Sequence, residues 1–214
     1  MVRNDQILVH TRSNQLNVFP ADGLSSGKIM YNTLVSLGLP REKIRVHMLG
    51  KCSSIFQDDE KAGMEACNAT RIIVMDQGSR GGRPLVEPHG GTVRTLIIDH
   101  HESDDFPEGA LAISACRSPP IATSSFLTYF ICEPLHPDVR QKSALFALLG
   151  VFGDLGPNEV DWNDDPWPEY LGHVAKRFTK KALTVAVSMM NAPRRTQEYA
   201  GVKVSLHSYS ALTT

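Results

Sequence analysis

No stretch of this 214-residue chain is long and apolar enough to span a bilayer. Its opening residues, Met1-Val2-Arg3-Asn4-Asp5-Gln6, lack the apolar run of a secretion signal. Neither sign of charge is in excess: lysine and arginine number 22, aspartate and glutamate 23, for a formal net charge of −1. That balance removes any bulk electrostatic case for nucleic acid, although a local basic groove is compatible with it. Cysteine is sparse. Cys52, Cys67, Cys116 and Cys132 are scattered, with neither zinc-knuckle nor redox spacing, which points to reduced thiols and a cytoplasmic or nuclear setting. Internal repeats and low-complexity tracts are also missing. What is present is 42% hydrophobic residues, enough for one good core or for one domain and part of another.

The apolar pattern alternates between strands and helices. Gln15–Phe19 reads as a short strand broken by Pro20-Ala21-Asp22-Gly23. A helix follows, capped at Ser25 or Ser26, with Ile29, Met30, Leu34 and Leu37 on one face, and Gly38 and Pro40 stop it. Lys43–Leu49 reads as a strand, Asp58–Ala69 as a weaker helix, and Arg71–Met75 and Thr95–Ile98 as two further strands. Residues 123–132 read as a helix capped by Thr123 or Ser124. Residues 139–152 read as another, capped by Asp138 and ending at Gly153-Asp154-Leu155-Gly156-Pro157. Strands that are apolar without alternation, separated by helices, predict an α/β fold: a doubly wound, mainly parallel sheet with helices on both faces. Beyond Pro157 the composition shifts to the acidic, aromatic, proline-broken Asp161–Pro168. One long helix is then expected from Glu169 to about Met190, with an apolar stripe of Leu171, Val174, Phe178, Ala182, Val185 and Met189. This is the helical C-terminal extension of the expected fold. The expected division is 1–160 as the main domain and 161–214 as linker, helix and unassigned tail.

Thr95-Leu96-Ile97-Ile98-Asp99-His100-His101 is the most informative run: a buried strand ending in an acid and two imidazoles. Desolvating three such groups costs free energy unless something binds them, and a divalent cation or a phosphate is the natural candidate. Asp76 also follows a strand directly, Asp22 opens the turn after the first strand, and Asp154 sits among glycines. The carboxyl ends of parallel strands line one crevice, where ligands bind. Three carboxylates and a histidine converging there would repel one another without a cation. With one, they form a mixed oxygen and nitrogen site suited to Mn²⁺ or Mg²⁺. Taken singly, each aspartate reads as a helix cap or turn residue; it is the conjunction that points to metal.

These blocks, in order, resemble the DHH phosphoesterase superfamily, whose members include RecJ-type exonucleases, manganese pyrophosphatases, exopolyphosphatases and phosphodiesterases of short oligonucleotides. Asp99-His100-His101 resembles its signature. Ala21-Asp22-Gly23-Leu24-Ser25-Ser26-Gly27 resembles the end of the first motif, Val74-Met75-Asp76-Gln77-Gly78 the second, and Gly153-Asp154-Leu155-Gly156 the fourth. The resemblance spans about residues 15–160. It implies that Asp76 bridges two divalent ions and that His100, Asp22 and Asp154 complete the shell of one of them. It further implies that Asp99 orients its neighbours, that His101 contacts the substrate phosphate, and that metal-activated water attacks phosphorus. A phosphodiester or phosphoanhydride is then the expected substrate: a phosphate-containing small molecule, short oligonucleotide or polyphosphate.

The first motif departs from the family. Pro20 stands where a carboxylate is expected two residues ahead of Asp22, and His10 and Asn17 are out of register to replace the missing ligands. One metal site therefore looks complete, while the other keeps only Asp76. The second, substrate-gripping domain of the family is also missing from the sequence, which suggests a truncated or single-domain form. A catalytically silent DHH-fold module that binds one metal and a protein partner is the alternative expectation.

Elsewhere, Ser79-Arg80-Gly81-Gly82-Arg83 reads either as a phosphate-holding loop, with Arg80 and Arg83 as its cations, or as a solvated surface loop. The start of the helix at Thr123-Ser124-Ser125 can hold an anion or simply cap itself.

Overall fold

A computed structural model describes residues 6–11, 21–50, 53–87, 92–117 and 122–192. Among the described residues, five strands form one all-parallel sheet: β1 (Ile7–Thr11), β2 (Ile44–Met48), β3 (Arg71–Met75), β4 (Arg94–Asp99) and β5 (Ala110–Ser114), in the order β2-β1-β3-β4-β5. The helices are α1 (Ala21–Ser36), α2 (Asp58–Glu65), α3 (Ser124–Cys132), α4 (Pro137–Leu155), α5 (Trp167–Tyr170), α6 (Gly172–Ala175) and α7 (Lys180–Asn191). The chain leaves β1 toward β2 on one side and then returns past β1 to β3 on the other. The order of connection reverses between β1 and β3, and the crevice of an open parallel sheet lies at the carboxyl end of that reversal. Asp76 follows β3 there.

Burial explains the sheet. Strand residues alternate between two cores, as the period of two requires. Val9, Met75 and Ile98 pack toward α1, α3, α4 and α7, in a core shared with Ile29, Phe126, Leu148 and Leu171. Leu8, Ile72, Val74 and Ile97 pack on the other face with Ile55, Met64 and Leu85. Both faces are covered, so the strands read as continuous apolar runs.

The helices around the site approach closely because α4 carries glycine where its neighbours cross. A Cβ at Gly150 would lie 2.5 Å from Ser125 Cβ, and one at Gly153 would lie 2.6 Å from Ala21 Cβ. No side chain larger than hydrogen fits at either crossing.

Several local expectations are corrected. Strand β1 is Ile7–Thr11, an apolar run the sequence reading passed over; the strand expected at Gln15–Phe19 lies outside the described residues. Ser25 and Ser26 do not cap α1 but lie inside it, and the Ser26 hydroxyl donates back to the Asp22 carbonyl at 2.8 Å. Asp22 is thus a first-turn helix residue rather than a turn residue. Leu37 is exposed, since α1 ends one residue before it. His136, not Asp138, caps α4: its ring Nδ1 accepts from the Asp138 N–H. That helix runs on to Leu155 and places Asp154 in its last turn, ahead of Gly156 at φ +90°. Strand β5 was not anticipated, because an edge strand with Leu111 73% exposed shows little apolar pattern.

The single helix expected from Glu169 to Met190 is three. Thr179 caps a new start at α7, its hydroxyl accepting from the Ala182 N–H. Leu171 and Val174 are buried in α5–α6, whereas Val185 and Met189 are exposed. The buried face of α7 is Leu183, Val187 and Met190. No helix among the described residues is long and apolar enough to cross a membrane.

Candidate metal centre

Four elements deliver the acidic groups to one point. The end of β3 delivers Asp76, the end of β4 delivers Asp99, His100 and His101, the first turn of α1 delivers Asp22, and the last turn of α4 delivers Asp154. Asp76 adopts a left-handed conformation, φ +60°, which aspartate tolerates better than most residues. Its N–H still extends the sheet, donating to the Ile98 carbonyl at 2.9 Å. The chain therefore turns sharply at the crevice without losing a backbone hydrogen bond.

His100 Nε2 lies at the centre. It is 3.5 Å from Asp76 Oδ1, 3.7 Å from Asp154 Oδ2 and 3.8 Å from Asp22 Oδ2. That nitrogen is buried and makes no hydrogen bond among the described residues. Donor atoms sitting about 2.0–2.6 Å from a hard cation stand roughly 3–5 Å from each other. The atoms of Asp22, His100 and Asp154 all lie within 4.8 Å of one another, and so do those of Asp76, His100 and His101. The spacing suits ligands around a shared ion better than a set of direct hydrogen bonds.

Electrostatics points the same way. Burial, reinforced by the Asp76 and Asp154 carboxylates, pushes the Asp22 carboxyl up to about 7. Burial alone would depress the His100 imidazole, but the Asp76, Asp22 and Asp154 carboxylates raise it to about 9. Both shifts express unbalanced negative charge in a dry site, and a bound cation reverses that logic.

Asp22 is fixed by a partner about a hundred residues away. Its Oδ2 accepts from the Ser124 N–H at 2.8 Å and its Oδ1 from the Ser125 N–H at 2.9 Å, both at the amino end of α3. The anion held by that helix start is therefore this chain's own carboxylate. The Ser124 hydroxyl adds a 3.3 Å bond to Asp76 Oδ1. Thr123 does cap the helix, its hydroxyl accepting from the Phe126 N–H.

Asp99 faces the other way. Its Oδ1 accepts from His101 Nδ1 at 2.6 Å and from the His100 N–H at 2.9 Å; its Oδ2 accepts from the Ser79 hydroxyl at 2.6 Å. Burial would raise this carboxyl, but the hydrogen bond and charge of His101, with the Ser79 hydroxyl, hold it below the usual carboxylate range. An ionised Asp99 fixes Nδ1 of His101 as the donor and leaves Nε2 as the working nitrogen. His101 borders a cleft that Arg80 also lines. Arg83 is exposed and is not among the residues lining that cleft.

Asp22, Asp76, His100 and Asp154 thus converge, with Asp99 and His101 adjoining; Arg80 shares the cleft with His101, and Arg83 stands apart. The sequence reading missed Ser79, Ser124 and Ser125 as partners of the acids, and Gly150 as the residue that admits Ser125. Only the hydroxyl-rich helix start gave any signal. Pro20 and Asn17 lie outside the described residues; His10 lies on β1, in register with His47 and Val74.

No protein-family model matches the sequence, and no curated protein matches it. Solved structures do match in shape. An exonuclease RecJ bound to manganese superposes with a TM-score of 0.63 at 18% identity, over 99% of this chain and 62% of that one. RecJ from Thermus thermophilus, in complex with Mn²⁺, gives 0.55 at 17% identity, over 99% of this chain and 35% of the other. The DHH domain of a member of a family of ribosomal proteins gives 0.64 at 11% identity, over 98% and 55%. The chain spans less than two thirds of each of these proteins, and at such identities the likeness is one of fold. The expected α/β architecture and the resemblance read from the ordered acidic motifs are therefore borne out together: this chain has the fold of a DHH-type domain.

Proposed function

We propose that this protein is a divalent-metal-dependent phosphoesterase acting on a phosphodiester or phosphoanhydride. The observation that carries the reading is His100 Nε2, buried and facing three carboxylate oxygens at 3.5–3.8 Å. Asp22, Asp76, His100 and Asp154 would hold Mn²⁺ or Mg²⁺. When bound, such an ion supplies Lewis-acid charge and lowers the pKa of water toward neutrality. The two N–H groups of α3 lock the Asp22 carboxylate in place, so little reorganisation is needed on binding. Asp99 orients His101, whose Nε2 then meets the substrate phosphate, and Arg80 adds positive charge at the cleft. The manganese-bound RecJ of similar fold supports the choice of ion. We further propose that residues 1–160 form the phosphoesterase domain and 161–214 its extension.

One observation favours a second reading. Pro20 stands where a carboxylate is expected two residues ahead of Asp22, which suits a silent one-ion module that binds a protein partner. Manganese titration followed by phosphodiesterase and pyrophosphatase assays separates the two. Manganese-dependent turnover supports the enzyme. A folded chain that binds one ion and turns over neither substrate class refutes it.

A further inference from the structure

His101 borders a cleft of about 240 Å³. It runs between the loop after β2 and the loop after β3. Its lining is mixed. Asp99 and His101 form one end, Ser53, Ser54 and Ser79 add polar groups, and Phe56 with Leu49 and Ile55 adds apolar ones. Leu49 and Ile55 are almost fully buried, so they form a floor rather than a surface. Arg80 is the only lysine or arginine among the lining residues, and its guanidinium lies over the Phe56 ring at 5.4 Å. Gln77 also lines the cleft, and its amide nitrogen is buried with no hydrogen-bond partner among the described residues.

We infer that this cleft takes the nucleoside part of a nucleotide ester whose phosphate sits at the His101 end. An inorganic polyphosphate is a poor occupant. It brings a negative charge with every phosphoryl unit, against a single guanidinium and the carboxyl group of Asp99. A heteroaromatic ring matches what is offered. Its faces suit the Phe56 ring and the guanidinium that lies over it. With a rotation of the Gln77 side chain, its ring nitrogens or carbonyls can accept from Nε2, a donor that costs free energy while it stays buried without a partner. The volume fits one ring system with its sugar rather than a larger ligand, since typical drug-sized pockets are roughly 300–1,000 Å³. The inference rests on the proposed phosphoester site only for where the phosphate sits.

The test is equilibrium binding to the full chain loaded with manganese, using adenosine monophosphate, ribose phosphate and tripolyphosphate as probes. Adenosine monophosphate should bind about tenfold tighter than ribose phosphate, the scale of one base stack. The Gln77→Ala and Phe56→Ala variants should each reduce that advantage to about threefold or less, while ribose phosphate affinity changes by less than about twofold. Equal affinity for adenosine monophosphate and ribose phosphate overturns the inference, as does tighter binding of tripolyphosphate. Hydrolysis of bis(p-nitrophenyl) phosphate is followed in parallel. If it fails while the ring preference persists, the phosphoester reading falls and the cleft stands.

Discussion

His100 and His101 are adjacent in the chain, with ring centroids 4.6 Å apart, yet they belong to two different regions of the molecule. His100 is 12% exposed and enclosed by three carboxylates from α1, α4 and the end of β3; His101 is 35% exposed, hydrogen-bonded to Asp99 with Asp76 Oδ1 4.0 Å away, and opens on a cleft. The first region is built to concentrate negative charge where water is excluded. The second is built to orient one imidazole toward solvent. A dry acidic pocket suits an ion, and an oriented, accessible ring suits a substrate. Two neighbouring residues of the same type therefore take separate roles from their surroundings alone.

The largest expected difference tests this separation directly. Asp76→Ala should remove manganese binding altogether, because Asp76 Oδ1 faces both rings, 3.5 Å from His100 Nε2 and 4.0 Å from His101 Nδ1. His101→Ala should leave manganese affinity within about threefold while lowering turnover by about 10²–10⁴-fold, the usual contribution of a positioned acid or base. Calorimetric titration with manganese beside a turnover assay reads both effects. Unchanged manganese affinity in Asp76→Ala would break the assigned geometry, and loss of ion binding in His101→Ala would merge the two regions.

Packing behind the acidic pocket gives the next effect. Gly150→Ala forces a methyl group to within 2.9 Å of Asp22 Oδ1 and against Ser125. Overpacking of this kind costs about 1–3 kcal/mol, so the denaturant midpoint should fall and manganese binding should weaken with it. A variant with wild-type midpoint and affinity would show that α3 and α4 have slack at this crossing.

On the cleft side, Ser79→Ala deletes the 2.6 Å hydrogen bond to Asp99 while leaving His101 in place. Turnover should drop about tenfold, at the lower end for groups that orient a working residue, with manganese affinity unaltered. An equal loss in both would place Ser79 with the acidic pocket instead.

The smallest effect lies away from the acidic pocket and serves as its control. Glu60 is buried; it accepts from the Gly50 N–H at 2.7 Å and pairs with His47 at 2.8 Å, tying α2 to β2. Burial alone would raise its carboxyl, but these partners lower it below its ordinary value of 4.5. A carboxyl depressed on folding adds stability above its unfolded value and loses it as the pH falls through the lower folded value. Glu60→Gln should therefore cost about 1 kcal/mol at neutral pH. The gap should close below pH 4.5, as read from urea midpoints across pH. Manganese binding at neutral pH should not change.

The parallel sheet was legible because β3 and β4 are short apolar runs that lead into an aspartate, and because the helix at 124–132 has a capping threonine at its start. Less legible was whatever owes its form to neighbours. β5 pairs only along one edge and exposes Leu111, so its sequence carries no stripe. The helix expected through Glu169–Met190 has a continuous period, but Leu171 and Val174 face the core while Val185 and Met189 do not. Periodicity records spacing and cannot record a change of direction between α6 and α7.

The candidate site divides the same way. Asp76, Asp99, His100 and His101 stand at strand ends, so the sequence alone assigns them to the carboxyl edge of the sheet, where parallel topology gathers ligand groups. That Asp22 and Asp154 reach the same nitrogen depended on α1 and α4 closing over each other at Gly150 and Gly153. That Asp22 is held by α3, and Asp99 by Ser79, depended on contacts 102 and 20 residues apart in the chain. Local sequence determines which groups lie at the end of a strand, because strand geometry is local. Which of them share an ion and which line a cleft is decided by helix packing, because burial and hydrogen-bond partners come from distant residues.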